Sequence, residues 1–329
     1  MRTKAAILVE QNKPLEIVDL EIPKLGVGQV LVKINYAGIC GAQVGEIRGN
    51  GGEDKFLPHL MGHEGAGVVV DVGAGVKLKE GNRVVAHWRE GSGIDADFPK
   101  YEWKEDKSFV GGGKVTTFQE YSVISENRLT KIKDFIPLEI AATMGCSVTT
   151  AFGLINNEAK LKVGQSIMVI GCGGVGLNVV QAARMVGAGE IIAVDLVQGK
   201  LNKAFELGAT RTSNFIDEWK DIDIVVDTTG ISVLVEQGWR ATREKMILVG
   251  QPHQADTFTF RNARNSFYQG KVMMDSQGGL TNPNVDIPRY LDMGDRIVTD
   301  STFYRLENVN EAIKDMGRGT VVKPMLEMP

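Results

Sequence analysis

The sequence is poor in several features that would point to a specialised chain. Only three cysteines occur in 329 residues, at positions 40, 146 and 172. So few and so widely spaced, they cannot build the dense disulfide framework of a small secreted domain, which leaves free thiols or metal ligands. No run of 18 apolar residues occurs, and the N-terminal apolar run breaks after five residues at Glu10. Neither a membrane span nor a signal peptide fits that pattern, so a cytoplasmic protein with no membrane partner is expected. Charge of one sign is also missing: 37 Lys and Arg against 41 Asp and Glu give a net charge of −4. That balance supplies no basic field for a nucleic-acid partner. Internal repeats and low-complexity segments are absent. What is present is an ordinary globular composition, 43% hydrophobic and 24% charged, with glycine in excess at 39 residues. At roughly 100–200 residues per domain, the length predicts two domains.

The texture of the chain changes once. The first third reads as short strands broken by glycine, at 16–20, 29–36, 67–72, 83–86 and 120–124, with apolar and polar residues alternating. From about Ser147 the pattern becomes strand, glycine turn and helix in repetition, the signature of βαβ units on a parallel sheet. Strands are predicted at 166–170, 191–194, 222–228, 246–249 and 271–274, with helices after Gly176, from about Lys200 and over 233–241. The segment after residue 278 is too short to fold alone and is expected to pack back onto the first domain. The fold class is therefore α/β, a doubly wound parallel sheet over 148–278 with a mainly β domain formed by 1–147 and 279–329. Residues 88–113, rich in charge and aromatics, read as a lobe or loop.

Gly171-Cys172-Gly173-Gly174-Val175-Gly176 fits G-x-G-x-x-G between a strand and a helix. In that setting the first glycine permits the turn, the second lets the backbone approach a pyrophosphate, and the third allows close helix packing. Asp195 follows Gly176 by nineteen residues, at the end of the next strand. Its carboxylate suits the adenosine ribose hydroxyls and repels a 2′-phosphate, which favours NAD over NADP. Lys200 is a candidate for the adenosine side. Cys172 reads as a small packing residue.

Cys40 in GICGAQ, His63-Glu64 in GHEGAG and Cys146 in GCSVTTAFG are uninformative one by one. Together, two thiolates and one imidazole make a three-ligand zinc set that leaves a fourth position open, as catalytic rather than structural sites do. In this order, Cys40, Gly62-His63-Glu64, Cys146 with Thr150, Gly171–Gly176 and then Asp195, the chain resembles the zinc-dependent medium-chain alcohol dehydrogenases over nearly its full length. The resemblance implies a GroES-like catalytic domain followed by a Rossmann domain. It also implies catalytic zinc on Cys40, His63 and Cys146, with Glu64 as a nearby acid able to approach the metal. Thr150 would contact the nicotinamide, Lys323 would take the late basic position near the pyrophosphate, and a homodimer or homotetramer would form through the Rossmann domains.

Four positions depart from the family. Ala42 stands where a hydroxyl residue usually relays the alcohol proton, and a methyl group cannot carry one. Gln43 replaces the acid that often supports the ligand histidine, and its amide can accept that hydrogen bond without the charge. Residues 88–113 hold no cysteine, so one catalytic zinc and no structural zinc is expected. Asn82 replaces the usual Asp of a turn. With Ala42 silent, His87 is the candidate proton carrier, and Trp88 and Gln43 are the candidate substrate contacts. Tyr101, Trp103, Arg89 and Lys104 either touch substrate or decorate the lobe. The function expected is hydride transfer between NAD(H) and an alcohol or carbonyl, with a polar polyol, sugar or cyclitol favoured over a long aliphatic alcohol. The alternatives are a noncatalytic NAD-binding relative, a zinc-free enone or quinone reductase, and a purely structural zinc completed by Glu64.

Overall fold

The computed structural model describes residues 1–260 and 270–329. The chain divides into two compact units, one of 1–149 with 282–329 and one of 150–281. Among the described residues, no helix is long and apolar enough to cross a membrane.

The first unit is organised by the strand Gln29–Gly38. Its first half pairs antiparallel with Tyr121–Ser125, and most of its length pairs on the other side with Gly65–Val72. The far end, Tyr36 to Gly38, pairs with the late strand Lys323–Glu327, which in turn runs parallel to Ser301–Arg305. Residues from the end of the sequence thus complete a sheet begun by residues near its start. Alternation explains the burial: Val30, Val32 and Ile34 point into a core shared with Val84, Phe118, Ile124 and Leu326.

A small closed barrel of Arg2–Leu8, Glu16–Glu21, Lys100–Trp103, Ser108–Gly111 and His59–Leu60 completes the unit. The charged stretch expected to be a lobe or loop therefore contains a hairpin. Tyr101 and Val110 are fully buried, and the Tyr101 hydroxyl accepts a hydrogen bond from the Val123 N–H at 2.8 Å. Tyr101 is a barrel core residue, and Trp103 packs against the same cluster. The outward-facing Lys100 and Glu102 gave the segment its polar look, because only alternate residues of a half-buried strand need be apolar.

The second unit is a six-stranded, wholly parallel sheet. Numbered in chain order, its strands Ser166–Ile170, Glu190–Val194, Arg211–Ser213, Ile222–Asp227, Thr242–Leu248 and Val272–Asp275 lie in the order 3-2-1-4-5-6. This is the doubly wound order, whose direction reverses beside the first strand. The central strands are apolar on both faces, as helices on either side require, and Ile167 to Ile170 and Ile191 to Ala193 are at most 2% exposed.

Candidate active site

Cys40, His63, Glu64 and Cys146 converge in the first unit, each offering a ligand atom within 4.8 Å of all the others. Different elements deliver them. Cys40 immediately precedes the helix Gly41–Ile47, His63 and Glu64 precede the strand Gly65–Val72, and Cys146 ends the turn before the helix Ser147–Gly153. The two sulfurs lie 4.0 Å apart. Two thiolates at about 2.3 Å on a tetrahedral ion would stand about 3.8 Å apart, so the pair is spaced for zinc. His63 Nε2 and Glu64 Oε2 are buried with no hydrogen-bond partner. A buried orphan acceptor is costly, and a metal ion would satisfy it. The donor set fits zinc.

The charges follow from this crowding. The hydrogen bond between the two sulfurs, with help from His63, holds Cys40 well below the ordinary thiol range despite its burial. The same bond, together with burial and the Cys40 charge, pushes Cys146 well up. Burial lowers His63, but the nearness of the Cys40 sulfur and the charges of Cys40 and Glu64 outweigh that, and the net direction is upward. A metal ion would displace the protons these groups share, so its affinity falls as pH falls.

Glu64 is wholly buried and is paired with the ammonium of Lys323, itself 6% exposed. Burial raises Glu64 above the usual carboxylate range against the pull of Lys323. Burial also lowers Lys323, yet the charges of Glu64, Cys40 and Cys146 carry it upward. Gly38 makes the space for this pair: a Cβ there would lie 2.7 Å from the Glu64 carboxyl carbon and 2.9 Å from Lys323 Nζ. The family resemblance implies a place for Lys323 near a pyrophosphate; the structure spends its ammonium on Glu64 and the Ile39 carbonyl. No local signal links residues so far apart in the chain.

Two further residues have jobs other than those expected. Gln43 is 2% exposed, and its Oε1 accepts from the Cys40 backbone N–H at 3.0 Å rather than from the His63 ring. At the third position of the helix its side chain reaches back to an amide that the helix itself cannot satisfy. Gln43 thereby fixes the backbone that carries Cys40. His87 is 1% exposed, with Nδ1 2.7 Å from the Arg89 carbonyl and Nε2 2.9 Å from the Thr130 hydroxyl. Asn284 donates to Thr130, and its own oxygen accepts from the Ser92 N–H. With both ring nitrogens engaged and no access to water, His87 is a buried neutral imidazole that orders the Arg89–Ser92 turn, and the relay role does not carry forward. Trp88 is partly exposed, with the Arg89 guanidinium 5.9 Å from its ring centre.

Burial lowers His87 to about 4. Below about 6.5 the unfolded chain takes up a proton that the native ring refuses. Its contribution to stability is therefore complete above about pH 6.5 and is lost as pH falls towards 4, by about 3 kcal/mol over that window. His87→Gln is expected to lose this part of the acid sensitivity. Denaturant midpoints measured from pH 7 to 4 test it, and parallel curves for the two proteins would reject it.

In the second unit, Gly171 has φ +90°, and a Cβ at Gly176 would sit 1.9 Å from the Gly171 carbonyl oxygen. By contrast, a Cβ at Gly173 would meet nothing within 4 Å, so the loop is open on the side a pyrophosphate would use. Gly174 and Val175 begin the helix Gly174–Val186, whose first N–H groups have no partner within the helix. Asp195 accepts from the Cys172 N–H at 2.8 Å and the Val197 N–H at 2.9 Å, which ties the loop to the next strand. A carboxylate offers about four acceptor positions, so lone pairs remain for a ribose. Lys200 lies in the helix Gln198–Leu207, and Thr150 is 5% exposed in the helix Ser147–Gly153. The sequence reading missed Asp227-Thr228-Thr229-Gly230. Thr228 donates to the Gly171 carbonyl at 2.9 Å, and the buried Asp227 carboxylate holds Thr229 and Gly230. Their position after the strand beside the glycine loop, where ligands bind in such sheets, was the available signal.

Comparison with known proteins agrees with this geometry. Residues 26–134 match the alcohol dehydrogenase GroES-like domain, and residues 174–295 match the zinc-binding dehydrogenase family. An NDMA-dependent alcohol dehydrogenase from Amycolatopsis methanolica is 30% identical over 99% of this chain and 99% of its own. An S-(hydroxymethyl)glutathione dehydrogenase from Synechocystis is 34% identical over 71% of this chain and 70% of its own. Among solved structures, an alcohol dehydrogenase zinc-binding domain protein from Burkholderia ambifaria matches with a TM-score of 0.86 at 26% identity, covering 100% of this chain and 99% of that one. Benzyl alcohol dehydrogenase from Acinetobacter calcoaceticus shares the fold with a TM-score of 0.88 at 23% identity, over the whole of both chains. With two thiols, an imidazole and a carboxyl gathered in one unit and an open glycine loop in the other, the chain belongs to the zinc-dependent medium-chain alcohol dehydrogenases, NAD-linked oxidoreductases built from a GroES-like and a Rossmann domain.

Proposed function

We propose that this protein transfers a hydride between NAD(H) and a polar alcohol or its carbonyl partner, using one zinc per chain and no structural zinc. The observation that carries the reading is the four-donor cluster, in which His63 Nε2 and Glu64 Oε2 have no protein partner. Zinc there supplies Lewis acidity towards oxygen, and NAD supplies the hydride-accepting ring. Cys40, His63 and Cys146 hold the ion. Glu64, restrained by Lys323, is the acid beside it. The N-terminus of the helix Gly174–Val186 binds the pyrophosphate, Asp195 the ribose and Thr150 the nicotinamide, with Lys200 on the adenosine side. Trp88, with the Arg89 guanidinium 5.9 Å from its ring centre, is the wall proposed for the substrate, and an aromatic face beside a polar group suits a hydroxyl-rich substrate better than a long alkyl chain. The S-(hydroxymethyl)glutathione relative takes such a polar alcohol, which supports the same direction. A dimer or tetramer is the assembly proposed.

The test is NAD(H)-linked absorbance across polyols, sugars, cyclitols, S-(hydroxymethyl)glutathione and simple aliphatic and aromatic alcohols, with bound metal counted in parallel. A polar class should respond, with NAD preferred to NADP by about tenfold or more, equivalent to about 1.4 kcal/mol. Asp195→Ser should erase that preference. Binding of zinc and NAD without turnover on any member would favour the noncatalytic reading, and enone reduction by metal-free protein would favour the reductase.

A further inference from the structure

Oxidation of an alcohol breaks a C–H bond, whose electron pair leaves as hydride to NAD⁺, and an O–H bond, whose proton needs a base. The groups around the metal cluster are already committed. Cys40, His63 and Cys146 are the proposed ligands, Glu64 is paired with Lys323, His87 is spent on Arg89 and Thr130, and Ala42 and Gln43 do not titrate. One turn along the helix Gly41–Ile47, on the face that carries Ala42, stands Glu46.

Glu46 belongs to a second cluster. Its Oε1 lies 3.7 Å from His59 Nε2, which lies 2.8 Å from Asp54 Oδ2. His59 Nδ1 faces the Leu60 carbonyl at 3.0 Å. Both ring nitrogens therefore face oxygen atoms, which fixes the ring between the Asp54 carboxylate and the Leu60 carbonyl. The cluster joins the two segments that deliver Cys40 and His63: Glu46 lies on the helix after Cys40, and His59 on the strand His59–Leu60 just before His63. It also grades from dry to wet. The Asp54 and His59 side chains are 11% and 13% exposed, and that of Glu46 is 46% exposed. Burial lifts Glu46 above the usual carboxylate range, with His59 pulling down, Asp54 pushing up and His63 pulling down more weakly.

We propose that Glu46, positioned by the His59–Asp54 pair, receives the alcohol's O–H proton through water and releases it to solvent, which Ala42 cannot do. This inference rests on the alcohol dehydrogenase reading. Glu46 follows Cys40, the N-cap of that helix, by six steps, about 9 Å along the axis.

The experiment measures kcat for alcohol oxidation by the zinc-loaded enzyme as a function of pH, with and without added imidazole buffer. Glu46→Gln should lower kcat near neutral pH on the order of 10²-fold, remove one ionisation from the profile, keep zinc and NAD binding, and recover with buffer. His59→Gln should shift that same ionisation, and Glu46→Asp should retain part of the rate. A Glu46→Gln enzyme with an unchanged profile and no response to buffer overturns the proposal, as does a loss that tracks missing zinc. A parent enzyme inactive on every alcohol would instead be a failure of the functional reading itself.

Discussion

Cys40→Ala is expected to lose bound zinc and to lower kcat/KM about a thousandfold or more. Several kcal/mol of charge stabilisation disappear with a Lewis acid, and each 1.36 kcal/mol is a factor of ten in rate. The fold should survive, because Cys40 sits outside any strand and its sulfur faces the metal cluster rather than the hydrophobic core. Cys172 provides the internal control. It is fully buried, and burial first and the Asp195 charge second push its thiol up to about 12. It stays protonated at any working pH and binds no metal, so Cys172→Ala should keep full zinc and most of the rate. Metal analysis beside steady-state kinetics separates the two. Full metal content and normal turnover in Cys40→Ala would remove the zinc site from the account.

Lys323→Met should be the most destabilising single change near the site. Taking away one partner of a buried pair leaves the other charge uncompensated, at a cost of about 3–5 kcal/mol. Glu64 answers by holding a proton, so its native pKa, already raised by burial, rises further above the unfolded value. A raised carboxyl contributes stability that is complete below the unfolded pKa and is lost as pH climbs through the folded one. The variant should therefore lie nearest the parent protein at about pH 4 and fall furthest behind at pH 8. Adding Glu64→Gln should recover most of the loss by removing the stranded charge. Denaturant midpoints across pH check this, and a penalty independent of pH in the single variant would show that lost packing, not charge, is responsible.

The parts of the protein legible in its sequence are those encoded by neighbouring residues. The loop Gly171–Gly176 could be read because turn, phosphate approach and helix contact each demand a glycine within six positions, and the 1.9 Å clearance at Gly176 shows how strict that demand is. The apolar runs of the parallel sheet could be read because strands covered on both faces are dominated by apolar side chains. The candidate ligands Cys40, His63 and Cys146 emerged only as an ordered set. Tyr101 was hidden because a barrel strand shows its core to only every second residue. His87 misled because a titratable side chain in a suggestive place says nothing about whether its nitrogens are free; Thr130 and Asn284, far along the chain, decide that. The contacts of Lys323 with Glu64 and of Glu46 with His59 and Asp54 are made by tertiary packing alone.

The strand Lys323–Glu327 also sets a timetable for synthesis. Lys323 lies 259 residues beyond Glu64. At about 5–20 residues per second, the ribosome reaches it roughly 13–50 s after the carboxylate it neutralises. During that interval the edge of Gln29–Gly38 that it will cover is bare and Glu64 has no counter-charge, while the whole of the parallel sheet emerges. The first unit, begun earliest, is thus completed last, and nascent chains shorter than 323 residues should be the ones that holding chaperones bind and proteases cut.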